Sequence, residues 1–226
     1  MNPFICNVFG PFSISWYGFF LVLGVSTFIY LAYTDIRRSA ILSTDQFLDC
    51  ATAGALGGIL GGKILFLLTE FFEYSCNSWS DIFALFVGGY AILGAMVGGV
   101  LGIVLTARVH GVHIMPLLDL VGAYALSAHG ISRLGCFIAG CCCGVPFDGG
   151  FTYTHPASLA PLYVALIPTQ LIMSALSLIG FFICHRLYGQ RGRREGLVFG
   201  VYLIWESSAR FLVDFWRGDH AEWLFG

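Results

Sequence analysis

The chain has 226 residues, of which 58% are hydrophobic and only 11% charged, and its formal net charge is −2. A soluble domain carries about a quarter of its residues as charges, so this composition excludes a water-soluble fold. It predicts an all-α, polytopic integral membrane protein, a single membrane domain over residues 1–226, whose apolar surface is solvated by lipid. The absence of a basic run argues against a nucleic-acid partner.

Residues 1–12 contain no Lys or Arg, so the basic region that opens a cleavable signal peptide is missing. The apolar run that follows is too long for the core of one and reads as a retained span. A span needs roughly 20 apolar residues, and the candidates are 14–33, 50–68, 82–105, 114–135, 161–184 and 196–215, six in all. Pro168 and Gln170 interrupt the start of the fifth. Residues 136–160, rich in Gly, Cys and Pro, read as a loop. Arg37, Arg38, Arg108, Arg186, Arg191, Arg193 and Arg194 fall between spans one and two, three and four, and five and six. Glu70, Glu73 and Asp81 fall between spans two and three, and the 136–160 loop has no Lys or Arg. By the positive-inside rule the Arg-bearing loops are cytoplasmic, and both termini are expected outside.

Four basic residues remain, Lys63, Arg133, Arg210 and Arg217. A rise of ~1.5 Å per residue puts Lys63 about 20 Å and Arg210 about 21 Å from the inner surface, with Arg133 ending span four near the outer one. Charges at that depth cost on the order of a few kcal/mol and normally face a protein-lined cavity. Arg217 reads as a snorkelling side chain, whereas Lys63, Arg133 and Arg210, from three helices at similar depth, read as an anion site. Spacings such as Gly54/Gly58, Gly58/Gly62 and Gly94/Gly98 form small-residue faces for close helix packing.

His129 precedes Arg133 by one helical turn, on the same face. It can orient the guanidinium, act as a base, or simply be a hydrogen-bonded buried histidine. A guanidinium there binds phosphate bidentately. The following Cys136-x4-Cys141-Cys142-Cys143 cluster has poor spacing for tetrahedral metal binding, and the chain has no Cys-x-x-Cys redox pair. These cysteines therefore read as small residues in a tight turn, with no metal. Cys50 and Cys184 read as packing residues.

The string Arg133-Leu-Gly-Cys136-Phe-x-x-Gly140-Cys141-Cys142-x-Gly144-x-Pro146 resembles the signature loop of bacterial prolipoprotein diacylglyceryl transferases, in the branch with Cys where others carry Asn. Four further segments follow in that family's order. Gly10-Pro-Phe-Ser-Ile-Ser-Trp16-Tyr17-Gly18 resembles its opening motif, and Gly57-Gly-Ile-Leu-Gly-Gly-Lys63 its Gly-rich helix, usually ending in Arg. Pro168-Thr-Gln170-Leu171 is similar to the core of its His-Pro-x-Gln-Leu-Tyr-Glu motif. Arg210-Phe-Leu-Val-Asp214-Phe-Trp-Arg217-Gly-Asp219 resembles its penultimate-helix motif. The likeness runs over roughly residues 10–219.

The resemblance implies a multi-pass enzyme of the bacterial cytoplasmic (inner) membrane with its site toward the outer leaflet. Such enzymes move diacylglyceryl from phosphatidylglycerol to the lipobox cysteine of a prolipoprotein, recognised with its signal peptide among the membrane lipids. They release glycerol phosphate and need no cofactor. Arg133, Arg210 and Tyr17 match catalytic or lipid-binding positions and Gly144 a functional glycine. Lys63, Gln170 and Tyr90 join the substrate-binding set, and the thiol's base is expected among Glu206, His129 and Tyr90. The chain departs from the pattern at Leu93, where a His or Tyr is usual, at Ile167, Ile172 and Met173 in the Gln motif, and at Glu206, where Tyr is usual. It ends at Gly226, where the family has a further span. The alternatives to a transferase are a non-catalytic phospholipid-binding paralogue and a thiol redox membrane protein.

Overall fold

A computed structural model describes residues 2–9, 12–73 and 89–218. Residues 82–88 of the third expected span lie outside them, as do Gly88, Asp81 and Asp219. The described residues contain six long helices: α1 (Trp16–Thr34), α2 (Thr44–Glu73), α3 (Ile92–Val109), α4 (Ile114–Ala139), α5 (Thr169–Tyr188) and α6 (Leu197–Asp214). By length and apolarity, α1, α2 over Thr44–Thr69, α4 and α5 can each cross a membrane, and α3 carries a shorter apolar stretch, Leu93–Val109. The chain divides into two compact units, one of Met1–Thr34 with Leu118–Gly226 and one of Asp35–Leu117.

Several boundaries differ from the sequence expectation. Before α1, strands β1 (Phe4–Phe9) and β2 (Phe12–Ser15) form an antiparallel hairpin. The stretch 136–160 is not one loop. Helix α4 continues to Ala139, and β3 (Pro146–Thr152) pairs antiparallel with β4 (Ala165–Leu166). Arg133 therefore lies six residues, about 9 Å, inside its helix rather than at its end. The fifth helix starts at Thr169, not at 161, because Pro168 is its N-cap and residues 165–166 are extended.

In the Asp35–Leu117 unit, α2 and α3 meet along their glycines. A Cβ on Gly57 would strike the Gly98 carbonyl oxygen, one on Gly61 the Gly94 oxygen, and one on Gly102 the Ala53 oxygen. Backbone-to-backbone contact replaces side-chain packing there, while Leu56, Ile59, Leu60, Val97 and Leu101 remain exposed on the outer faces. At the polar turn before α2, Asp35 accepts from the Arg37 backbone N–H at 2.8 Å and pairs with its guanidinium at 2.7 Å. Arg38 is buried, 5.5 Å from the Phe47 ring centroid.

In the other unit α4 is the hub. Gly135 packs on Tyr17 of α1, with 3.0 Å from its would-be Cβ to the Tyr17 Cα, and Gly122 packs equally closely on Phe199 of α6. The Ser174 hydroxyl of α5 donates to the Gly130 carbonyl at 2.7 Å. Asp119, with no exposed surface, pairs with Arg193. It also accepts from the backbone N–H groups of Gly196 (2.9 Å) and Phe199 (3.0 Å). A carboxylate from α4 thus satisfies orphan donors at the start of α6 and meets the positive end of its dipole.

Two substitutions test these packings. Gly57→Ala should lower the thermal midpoint of the detergent-purified protein, since overpacking costs about 1–3 kcal/mol. Gly58→Ala, whose added Cβ would meet its nearest atom at 3.5 Å, should leave the midpoint unchanged. Asp119→Asn should destabilise by about 3–5 kcal/mol because it strands the Arg193 charge. Denaturation of Asp119→Asn combined with Arg193→Gln should recover part of that loss, as expected of coupled partners.

Candidate functional site

Three guanidiniums meet in the unit of Met1–Thr34 and Leu118–Gly226. Arg133 of α4, Arg210 of α6 and Arg217 just after α6 line one shallow, open cleft. Cys142, Thr169, Gln170, Met173, Val213 and Asp214 complete the lining. Asp214 is the single carboxylate among these residues, so the wall carries three positive charges against one negative. Its pairings are loose, 3.3 Å to Arg217 and 3.9 Å to Arg210.

Arg133 is held from behind. Its Nε donates to His129 Nε2 at 2.9 Å, and His129 Nδ1 lies 3.0 Å from Glu206 Oε1 and 3.2 Å from the Ser177 hydroxyl. An arginine Nε–H can only donate, so His129 Nε2 must accept and the ring proton sits on Nδ1, facing Glu206. The imidazole is thus a neutral spacer between a carboxylate and a guanidinium, with both nitrogens engaged. Of the readings open for His129, the geometry supports the one that orients Arg133. Glu206, one of the candidate bases, is directed at His129.

The cysteine-containing turn closes the cleft from another side. Gly144 is hemmed in on both sides: a Cβ there would lie 2.7 Å from both the Ile167 Cβ and the Trp216 carbonyl oxygen. Its N–H donates to the Ile167 carbonyl at 2.9 Å, and the Val145 N–H to Trp216 at 2.9 Å. Gly144 serves through close backbone approach. Cys142 has a left-handed backbone, with φ +57°, which a non-glycine residue adopts only when its surroundings impose it. The surroundings are the Thr169 hydroxyl, donating to the Cys142 carbonyl at 2.7 Å, and Gln170 Nε2, donating to the Cys141 carbonyl at 2.7 Å. The adjacent Cys136 and Cys142 thiols, with burial, push the Cys141 thiol above its ordinary range. It therefore stays protonated and a poor nucleophile.

Of the sequence-derived site residues, Arg133, Arg210 and Gln170 share the cleft, His129 and Glu206 stand directly behind it, and Gly144 shapes the turn beside it. Tyr17 packs on Gly135, within electrostatic range of Arg133, and is not among the lining residues. Lys63 and Tyr90 belong to the other unit. There Lys63 Nζ donates to the Gly89 carbonyl at 3.4 Å and lies 5.1 Å from the Phe66 ring centroid, while the Tyr90 hydroxyl donates to Gly58 at 2.6 Å. Both side chains fasten residues 89–90 to α2. Leu93 is an exposed residue on α3.

Arg217 corrects the sequence reading. Only 11% of its side chain is exposed, and it lines the cleft rather than snorkelling to an interface. Asp214 and Thr169 are additions to the site. The spacing Arg210-x3-Asp214-x2-Arg217 could have revealed the first, since helical residues four and seven apart share a face. Nothing in the sequence marks Thr169 beyond its place at the helix start.

The sequence matches the family model for prolipoprotein diacylglyceryl transferase over residues 3–225. It is 35% identical over 223 residues to phosphatidylglycerol–prolipoprotein diacylglyceryl transferase 2 of Clostridium perfringens, covering 97% of this chain and 84% of that protein. The transferase of the same name from Clostridium tetani is 32% identical over 97% of this chain and 86% of its own length. That of Dehalococcoides mccartyi strain 195 is 32% identical over 92% and 79%. Likeness over nearly all of this chain, with guanidiniums and a glycine-tight turn gathered from separate motifs into one cleft, places the chain in the prolipoprotein diacylglyceryl transferase family.

Proposed function

We propose that this chain transfers a diacylglyceryl group from phosphatidylglycerol to the lipobox cysteine thiol of a prolipoprotein, working as one integral membrane domain. The observation that carries the reading is the convergence of Arg133, Arg210 and Arg217 on one cleft. In the transfer, the cysteine sulfur forms a bond to the terminal glyceryl carbon while that carbon's bond to the phosphate oxygen breaks. A phosphodiester with one negative charge leaves as glycerol phosphate with two. Fixed cations stabilise this charge as it develops, and Arg133, aligned by His129 and Glu206, meets it without reorganising. The same positive field favours the thiolate, a small fraction of which exists near neutral pH without help. Asp214, the one carboxylate among the lining residues, takes the thiol proton.

The reading places the enzyme in the bacterial cytoplasmic membrane with the cleft toward the outer leaflet. The support is the distribution of Arg: Arg108 ends α3, Arg186 ends α5, and Arg191, Arg193 and Arg194 follow α5. Reporter fusions after Arg108 and Arg193 should report cytoplasm, and a fusion after Gly149 the outside. A cytoplasmic signal at Gly149 would invert the membrane orientation and remove the outer-leaflet site.

The phosphate site is tested by charge-conserving substitution. Arg133→Lys and Arg210→Lys should each weaken phosphatidylglycerol binding by the detergent-purified protein about 10- to 100-fold. An ammonium lacks the guanidinium fork, and a charged hydrogen bond in such a site contributes on the order of 1.5–3 kcal/mol. Arg191→Lys, in the turn before α6, should bind as wild type. Unchanged affinity in both cleft variants would refute the shared phosphate site.

A further inference from the structure

Gln170 is 1% exposed, lines the cleft, and its Oε1 accepts no hydrogen bond from the described residues. A buried acceptor without a donor is a rare and costly arrangement that calls for a partner. The amide cannot be turned over to relieve it, because Nε2 donates to the Cys141 carbonyl at 2.7 Å, and a flip would set two carbonyl oxygens against each other. Nor can nearby hydroxyls help. Tyr153 donates to the Phe137 carbonyl and Thr169 to the Cys142 carbonyl, both at 2.7 Å. Thr169, its proton committed, is likewise left with acceptor capacity, and it too lines the cleft.

The lining thus divides by polarity. Arg133, Arg210 and Arg217 supply only donors and positive charge, which a phosphate satisfies. Gln170 Oε1 and Thr169 Oγ1 supply acceptors, which a phosphate diester, having no proton to give, leaves empty. We propose that Gln170 Oε1, with Thr169 Oγ1 beside it, accepts hydrogen bonds from the hydroxyls of the lipid's glycerol head group, and so selects a hydroxyl-bearing anionic head over one carrying phosphate alone. A cationic ammonium head could also donate, but three guanidiniums oppose it. The inference rests on the phospholipid reading above and names the atoms that read the head group.

The test is a cycle of lipid against side chain, measured as affinity of the full-length protein in detergent. Phosphatidylglycerol is compared with phosphatidylethanol, which has the same charge but no head-group hydroxyl, on wild type and on Gln170→Met. Wild type should prefer phosphatidylglycerol about 10-fold or more, the scale expected when a buried polar group loses its partner. In Gln170→Met the preference should fall to about 1- to 2-fold, chiefly by weaker phosphatidylglycerol binding. A merely structural Gln170 would weaken both lipids and keep their ratio, which would overturn the proposal. Equal affinity of wild type for the two lipids would overturn it without recourse to any variant. If that equality came with loss of binding in Arg133→Lys, the phosphate site would stand and only the head-group reading would fall. Failure of wild type to bind either lipid would overturn both.

Discussion

Asp119 is the contact on which the placement of the cleft depends. Its carboxylate has no exposed surface, yet it is paired with Arg193 and accepts two backbone N–H groups at the start of α6. A lone buried charge would be untenable, and a half-satisfied one would be worse than an apolar residue. Full satisfaction requires α6 to start at one place and in one rotation against α4. Because a helix rises ~1.5 Å per residue and turns every 3.6 residues, fixing that start also fixes the depth and heading of Glu206, Arg210 and Asp214. The far end of α6 is held independently, where the Trp216 carbonyl accepts from Val145 and the Gly218 N–H donates to Cys143. Two polar fastenings at opposite ends hold α6 where apolar packing alone would let it slide.

Inside that frame the cations are held with graded firmness. Arg133 is locked through His129 to Glu206, with distances of 2.9 and 3.0 Å. Arg210 has a half-exposed side chain and only a 3.9 Å approach to Asp214, so it can follow a ligand. A site that stabilises charge appearing during a reaction gains most from donors already in place, and Arg133 is built that way. The neutral imidazole matters in this respect. A protonated His129 could not accept from Arg133, and a direct Glu206–Arg133 pair would spend the guanidinium's fork on the protein instead of the ligand.

Much of the helical frame was legible because apolar runs about 20 residues long have few other uses; glycine spacing pointed to close helix packing, but the backbone contact runs along Gly57 and Gly61 rather than the Gly54/Gly58/Gly62 face. Arg133, Arg210 and His129 were legible because a charge inside such a run demands an explanation. The pairing of β3 with β4 was not. Pro146-Phe-Asp-Gly-Gly-Phe-Thr152 contains a Pro and two Gly, all depleted in strands, and its partner is only two residues long. The hold is tertiary: Tyr153 is buried with Leu166 and Ala160, and its hydroxyl bonds to α4. Asp119 was hidden for a related reason. A single Asp near a helix end is ordinary in sequence, and its donors at 193–199 are more than seventy residues away. Arg217 was misjudged because depth alone was weighed, without the backbone pairing that draws residues 216–218 against Cys143 and Val145.

The unusual residue at position 93 bears on how the proposed transfer is activated. A histidine or tyrosine acting as base must sit at the reacting thiol, and here the residue at that position is an exposed leucine on α3, which cannot accept a proton. A cationic cleft lessens the need for such a base. Each unit by which the thiol pKa falls corresponds to about 1.4 kcal/mol of favourable interaction with the thiolate. A nearby guanidinium typically shifts an acid by one or more such units, and three line this cleft. In the proposed transfer, the charges that stabilise the departing phosphate also raise the fraction of the attacking nucleophile, and Asp214 is left only to accept the released proton. On this account the acid–base requirement that a ring side chain would meet elsewhere is met by an electrostatic field, which depends on α6 being held at Asp119 and at the cysteine turn.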